Sequence, residues 1–169
     1  LDGASMNPFK TGAAGAVGVD HLARSDASTV GLIGSGPQAR GQLRATATVR
    51  ELSEVAVYSP TPANRAAFAA EMSEMLDCEV TAVDSSAAAV TSTDIVITAT
   101  NADEPVIDGE LLAPGTHVTA MGQYSSSKRE LDTTTIAKSR YVPDLHDRVM
   151  QDAGSFIHAV EAGVVSELD

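Results

Sequence analysis

Gly34-Ser35-Gly36-Pro37-Gln38-Ala39 is the stretch of this chain whose residue types and spacing most directly suggest chemistry. It follows a short apolar run, opens a helix-like segment and fits the pattern G-x-G-x-x-A. In such a turn Gly34 permits the tight bend, Gly36 lets backbone approach a pyrophosphate, and Ala39 allows close packing of helix on strand. The helix start behind it offers N–H groups and a partial positive charge to phosphate oxygens. Pro37 withdraws one donor, but at the first helical position that donor is a spare one. The alternative is a strand-to-helix turn that needs glycine only for its dihedrals. Strand, turn, helix and next strand in this order favour a bound dinucleotide.

The ribose end of such a site usually carries an acid at the close of the second strand. Here that strand closes on Ser59, and the chain continues Pro60-Thr61-Pro62-Ala63-Asn64-Arg65 with no carboxylate to hold a ribose diol or to repel a 2'-phosphate. Ser59 and Thr61 are able to donate to a phosphate and Arg65 to pair with it, a weak preference for NADP over NAD. The bland alternative makes Arg65 a solvated helix residue. The missing acid also counts against S-adenosylmethionine enzymes, which share glycine-rich turns of this kind.

These residues need a frame to hold them. Runs rich in β-branched residues recur at 29–33, 55–58, 79–83, 94–98, 117–121 and 141–143, each followed by a helix-like stretch. Several are apolar throughout, as strands covered on both faces are. Between them, residues 62–76 place Phe68, Met72, Met75 and Leu76 on one helical face, with Pro62 suited to the first turn. Ahead of the first strand, residues 11–26 read as a small-residue helix capped by Thr11, able to pack closely on a neighbour. Residues 145–162 read as helical with a break near Gly154. The expectation is an α/β fold of Rossmann type: a doubly wound, mostly parallel sheet in three layers, with residues 1–169 forming one domain.

Composition narrows the partners. The 169 residues hold 23 acids against 11 bases, a net charge of -12 that disfavours nucleic acid and anionic membrane surfaces. Only Lys10, Lys128 and Lys138 are lysines, and so acidic a surface suits concentrated salt, pointing to a halophile such as a haloarchaeon or, more plainly, to an ordinary acidic protein. No apolar run is long enough to cross a bilayer, and there is no cationic-then-apolar leader, so a soluble, cytoplasmic protein is expected. Cys78 stands alone, compatible with a reducing compartment, and reads as a structural thiol. The chain begins at Leu1 and ends at Asp169 without the usual start signal, as an excised piece would.

Other polar residues read as structural. His21, His117, His146 and His158 show no ligand spacing, so no metal site is expected. His117 opens an apolar strand as a packed residue, Asp144 is expected to cap the helix after it, and Asp103 and Glu104 are expected to be solvated.

Three stretches together carry a resemblance: residues 1–43, residues 93–122 (TDIVITATNADEPVIDGELLAPGTHVTAMG) and Lys128-Arg129-Glu130-Leu131-Asp132. In this order the chain resembles the ornithine cyclodeaminase/mu-crystallin family over essentially its whole length. The resemblance implies the dinucleotide-binding domain of a two-domain, homodimeric protein whose substrate and dimerisation domain is absent from this chain. It implies hydride exchange between a nicotinamide and the carbon bearing an amine or imine beside a carboxylate, as in ornithine cyclodeaminase, alanine dehydrogenase or ketimine reductase. The partner would be a small amino or imino acid, and the activity class an NAD(P)-dependent lyase or oxidoreductase. By the same resemblance, Gly34, Ser35, Gly36, Gln38 and Ala39 would hold the pyrophosphate, and Ser59 and Thr61 would lie near the adenosine ribose. Ala99 and Thr100 would approach the nicotinamide half, Met121 and Gly122 would line its face, and Thr11 would touch the cofactor from its helix start.

Two departures qualify it. The family's carboxylate-gripping arginine, in Arg-Thr-Gly or Arg-Thr-Ala, is Lys10 here, which keeps the charge but loses the two-pronged fork. The cyclodeaminase's catalytic aspartate, two residues after a glycine, is replaced by Tyr124 in Gly122-Gln123-Tyr124-Ser125-Ser126-Ser127-Lys128. A phenol, with a reference pKa of about 10, is a poor base but a competent proton donor. Imine reduction survives that change better than ornithine cyclisation. A cofactor-dependent binding protein without turnover, in the manner of mu-crystallin, is the competing expectation.

Overall fold

The computed structural model describes residues 3–166; Leu1, Asp2 and Glu167 to Asp169, the ends bearing on the excised-piece reading, lie outside them. Five strands form one parallel sheet in the order β3-β2-β1-β4-β5: β1 (Thr29–Ile33), β2 (Glu54–Tyr58), β3 (Glu79–Ala82), β4 (Ile95–Thr98) and β5 (His117–Ala120). The central strand is apolar on both faces because both are covered. Val30 and Leu32 look toward α1 (Gly3–Leu22), α2 (Pro37–Val49) and α3 (Pro62–Leu76), where Val19, Leu43, Phe68 and Met72 complete one core. Ile33 and Val96 look the other way, toward α4 (Ser86–Val90), α5 (Thr133–Lys138), α6 (Val149–Asp152) and α7 (Gly154–Glu161), where Val90, Ile136 and Phe156 complete a second. Two helical layers around a parallel sheet are the three-layer, doubly wound fold expected.

Close approaches set the layers. A side chain at Gly31 would strike the carbonyl of Ala89, so α4 rides directly on β1. Gly12, Gly15 and Gly41 let α1 lie against α2, and the buried Gln42 donates from Nε2 to the Thr11 carbonyl at 2.8 Å. The small-residue helix thus packs as its composition suggested. Its start differs, however: α1 runs from Gly3 through Pro8, so Thr11 is mid-helix and caps nothing, its hydroxyl instead donating to Asn7 Oδ1 at 3.2 Å. Packing of Pro8 on Gly41 carries the helix past a proline that would end an isolated one.

Three further expectations are corrected. Residues 141–143 make no sixth strand; Tyr141 turns its ring onto Phe156, with centroids 4.5 Å apart. Met75, placed on the buried face of α3, is 49% exposed, whereas Phe68 and Met72 are enclosed. Asp144 does not cap the following 3-10 turn, His146–Arg148, whose cap position is Leu145 and has no side-chain bond. The helical tail breaks beside Gly154, as expected, at Ala153 between α6 and α7.

At the amino ends of the strands Asp94 ties β1 to β4. Its Oδ2 accepts from the N–H groups of Ser28 (3.0 Å) and Thr29 (3.1 Å) and from the Thr29 hydroxyl, and Oδ1 accepts from Arg24 at 2.6 Å. The Ser28 amide first, with the other donors, holds this carboxyl far below the usual carboxylate range.

Candidate functional site

The opposite, carboxyl ends of the strands collect the residues singled out in the sequence. Gly34 continues β1, donating its N–H to the Tyr58 carbonyl at 2.8 Å, and then turns with φ +117°. A Cβ there would strike the carbonyl of Ala99, which follows β4. Two residues on, Gly36 is the N-cap of α2 in extended backbone, with no side chain bonded to the helix end and Pro37 just inside it. A Cβ on Gly36 would meet nothing within 4 Å. Gly34 is therefore demanded by the protein's own packing, whereas Gly36 keeps clear a space that the protein does not fill. A helix start of 13 residues without a side-chain cap, behind such a space, fits a pyrophosphate.

Around this turn the sequence-chosen residues are in part brought together. Ala39 is buried against the sheet, and the buried Oε1 of Gln38 has no protein partner. Ser35 donates its hydroxyl to Ser59 at 2.9 Å, joining the β1 and β2 ends. Thr61 is the exposed N-cap of α3 and makes no side-chain cap bond. Arg65 is neither free nor solvated: its side chain is 11% exposed, donates to the Ser59 carbonyl at 3.0 Å and pairs with Asp84 at 2.5 Å. Asp84, after β3, is 98% exposed, so a carboxylate does stand beside Arg65, supplied from beyond the third strand and not the second. Lys10 and Thr11 sit on α1 level with the second turn of α2, and the Lys10 side chain is exposed.

Beyond β4 and β5 lies the other half of the site. Met121 continues β5, its N–H donating to the Thr98 carbonyl at 2.9 Å, and Gly122 follows. Between these ends lies Glu130, wholly buried, which sequence reasoning did not single out. Its Oε1 accepts from the Thr100 N–H at 2.6 Å; its Oε2 accepts from the Thr98 hydroxyl at 2.8 Å and the Gly122 N–H at 2.5 Å. Gly122 has no room for a side chain because the Thr100 carbonyl and the Glu130 carboxyl press against it. The only sequence signal was Glu130's place within residues 128–132, where an acid among charges reads as surface.

Residues 123–129 close the edge of this region. Tyr124 is 61% exposed and bridges Ala153 through its backbone, and a Cβ on Gly154 would strike the Ser125 and Lys128 carbonyls. Lys128 donates to the Asn101 carbonyl at 2.8 Å and pairs with Asp103 at 2.7 Å, which together with the nearby Tyr124 holds the ammonium above its ordinary pKa. Arg129 pairs with Glu104, so Asp103 and Glu104 are exposed yet engaged. Tyr141, beside Gln123, has its phenol pushed up to about 12, by burial first and then by Asp144. No hydrogen bond joins Lys10 to Tyr124 among the described residues.

The remaining features stand apart from this end. A cleft lined by Ser25, Ser28, Arg50 and Ser53 lies at the amino ends of the strands. Among the described residues no group of three or more His, Cys, Asp or Glu is placed to hold a metal, and no helix is long and apolar enough to cross a membrane. His117 is mostly enclosed, and burial lowers its pKa.

Comparison with known proteins places this geometry. The family model described as ornithine cyclodeaminase/mu-crystallin matches residues 1–168. A Δ1-pyrroline-2-carboxylate reductase of Bacillus cereus is 31% identical over 100% of this chain and 52% of its own length. The structure of Thermococcus litoralis Δ1-pyrroline-2-carboxylate reductase with NADH and L-proline superposes with a TM-score of 0.95 at 39% identity, covering 98% of this chain and 51% of that one. The iminosuccinate reductase of Paracoccus denitrificans with NAD+ gives a TM-score of 0.90 at 29% identity, over 98% of this chain and 50% of that one. The chain spans about half the length of the curated relatives it matches.

Proposed function

The chain belongs to the ornithine cyclodeaminase/mu-crystallin family, and from that premise we propose that it is the dinucleotide-binding domain of an NAD(P)-dependent oxidoreductase reducing the imine carbon of a small imino acid. The observation that carries this reading is the pairing of Gly34, packed against Ala99, with Gly36, whose missing side chain leaves open space at an uncapped helix start. Gly34, Ser35, Gly36, Gln38 and Ala39 hold the pyrophosphate; Ala99, Thr100, Met121 and Gly122 line the nicotinamide half. When bound, the nicotinamide supplies or accepts the hydride at the carbon bearing the nitrogen. The chain's own residues do the rest. The Lys10 ammonium holds the substrate carboxylate, Thr11 borders the cofactor, and the Tyr124 hydroxyl donates a proton to the imine nitrogen as the carbon is reduced. Reductases and an alanine dehydrogenase among its relatives support this direction over the lyase reaction of a cyclodeaminase.

The cofactor half of the reading leaves a choice between NAD and NADP. Ser59, Thr61 and Arg65 suit a 2'-phosphate only if that phosphate displaces Asp84 from Arg65. The solved relatives with NADH or NAD+ favour the smaller cofactor. The complete protein, on this reading, is a cytoplasmic homodimer whose substrate and dimerisation domain lies outside these residues. Its acid excess reflects a salt-adapted, haloarchaeal host, which predicts loss of fold on transfer from molar salt to dilute buffer; indifference to salt contradicts it.

Product analysis tests the central assignment. The complete protein supplied with NADH or NADPH and a panel of cyclic imino acids, or keto acids with ammonia, should yield the amino acid, and Tyr124→Phe should slow it markedly. Unchanged turnover in Tyr124→Phe removes the proton role. Cofactor binding without any product favours the second reading, an NADP-dependent binding protein resembling mu-crystallin, which Tyr124 in place of the family acid keeps open.

A further inference from the structure

Among the described residues, Glu130 is the one fully buried acid beside the site, and the geometry around it asks for more than a structural tie. All three of its partners are donors, two backbone N–H groups and one hydroxyl, at 2.5 to 2.8 Å, so both carboxylate oxygens act as acceptors. Its flanking cations turn outward: Lys128 pairs with Asp103 and Arg129 with Glu104. Among the described residues no ion pair reaches Glu130, and its own N–H and that of Leu131 go to the Ser155 hydroxyl at 3.2 Å each. The carboxyl thus sits in the protein interior at the carboxyl ends of β4 and β5, met by three donors and, among the described residues, by no cation. Thr100 and Gly122, the residues assigned to the nicotinamide half, spend their backbone donors on it and have none left for a ligand.

We propose that Glu130 is an electrostatic positioning residue for the nicotinamide: it fixes the Thr100 and Gly122 backbone and, through its buried charge, favours the cationic oxidised ring over the neutral reduced one. This rests on the dinucleotide-binding reading above. The physical basis is that an anion screened by little water interacts with a nearby cation far more strongly than one at the surface. Tighter relative binding of the oxidised cofactor makes the bound reduced cofactor a stronger hydride donor, the direction an imine reductase needs.

The test is a pair of dissociation constants, for NAD+ and for NADH, measured by calorimetry on the complete protein and on Glu130→Gln, which has nearly the same shape and no charge. The expected result is that Kd(NAD+)/Kd(NADH) rises at least roughly threefold in the variant, a change that a merely structural residue, weakening both alike, does not produce. Glu130→Asp, which keeps the charge, should keep the ratio near that of the unmodified protein while weakening both ligands. Equal weakening in Glu130→Gln, or no change in either constant, overturns the proposal. If Glu130→Gln does not fold, Thr98→Val removes one of the three donors and leaves the charge less compensated, so the ratio must fall; a ratio unmoved or raised overturns the proposal. Failure of the folded, unmodified protein to bind either cofactor sinks the dinucleotide reading and this one with it, whereas normal binding with an unmoved ratio sinks this one alone.

Discussion

Replacing each glycine of the turn by alanine separates a turn built for the fold from one built for a ligand. At Gly36 the backbone is extended, at φ -85°, and the added methyl meets nothing within 4 Å. The folded protein therefore accommodates it. Alanine is a slightly poorer N-cap than glycine, by a few tenths to about 1 kcal/mol, but it stiffens the unfolded chain by roughly 0.4 to 1 kcal/mol, so the two effects nearly cancel. At Gly34, φ is +117° and the methyl would overlap the Ala99 carbonyl oxygen, a backbone atom with no freedom to retreat. Strain of this kind costs on the order of 1 to 3 kcal/mol or more, a drop in Tm of roughly 3 to 10 °C for a domain of this size. Binding should respond in the opposite pattern. Gly36→Ala fills the space a pyrophosphate needs, so NADH affinity should fall at least tenfold, about 1.4 kcal/mol, with thermal stability unchanged. Thermal unfolding and calorimetric titration of the same preparations read both quantities. If Gly36→Ala binds NADH as tightly as the unmodified protein, the open space is not the pyrophosphate site and the glycines serve the turn alone.

Two more outcomes follow from charges on either end of the sheet. Folding lowers the pKa of Asp94, so its contribution is complete above about pH 4 and is lost as pH falls toward the depressed folded value. Asp94→Asn should cost on the order of 1 to 3 kcal/mol at neutral pH and flatten the stability profile between pH 4 and 2; an unchanged profile in urea unfolding contradicts the role given to this carboxyl. At the ribose end, Asp84→Asn frees Arg65, and NADPH affinity should rise between about 1.5- and 5-fold with NADH unaffected, the range an exposed ion pair allows. No change in NADPH titration would mean that Arg65 does not reach the 2'-phosphate.

The fold was legible where pattern and environment coincide. β1 and β4 are largely apolar runs because helices cover both faces, and the glycine turn announced where β1 ends and α2 begins. Pattern failed where long-range contacts decide. Tyr141 and Val142 have strand-forming side chains, but the former stacks on Phe156 and the latter is exposed, and neither finds a ladder. Helix α1 begins before Pro8 because its glycine face is gripped by α2, a contact invisible to local propensity. In the site, the backbone-borne parts were readable, since Gly34 and Gly36 act through what they lack. Asp84 and Glu130 were not, because each is brought in from a distant stretch of chain, and burial of an acid among charged neighbours leaves no periodic trace.

The central assignment is a dinucleotide at the carboxyl ends of β1, β4 and β5. Calorimetric titration of the complete, folded protein with NADH, repeated with ADP-ribose present, tests this most directly. One cofactor per chain, displaced by ADP-ribose and lost in Gly36→Ala, is the predicted result. Absence of binding by protein shown to be folded, or binding indifferent to Gly36→Ala, contradicts it.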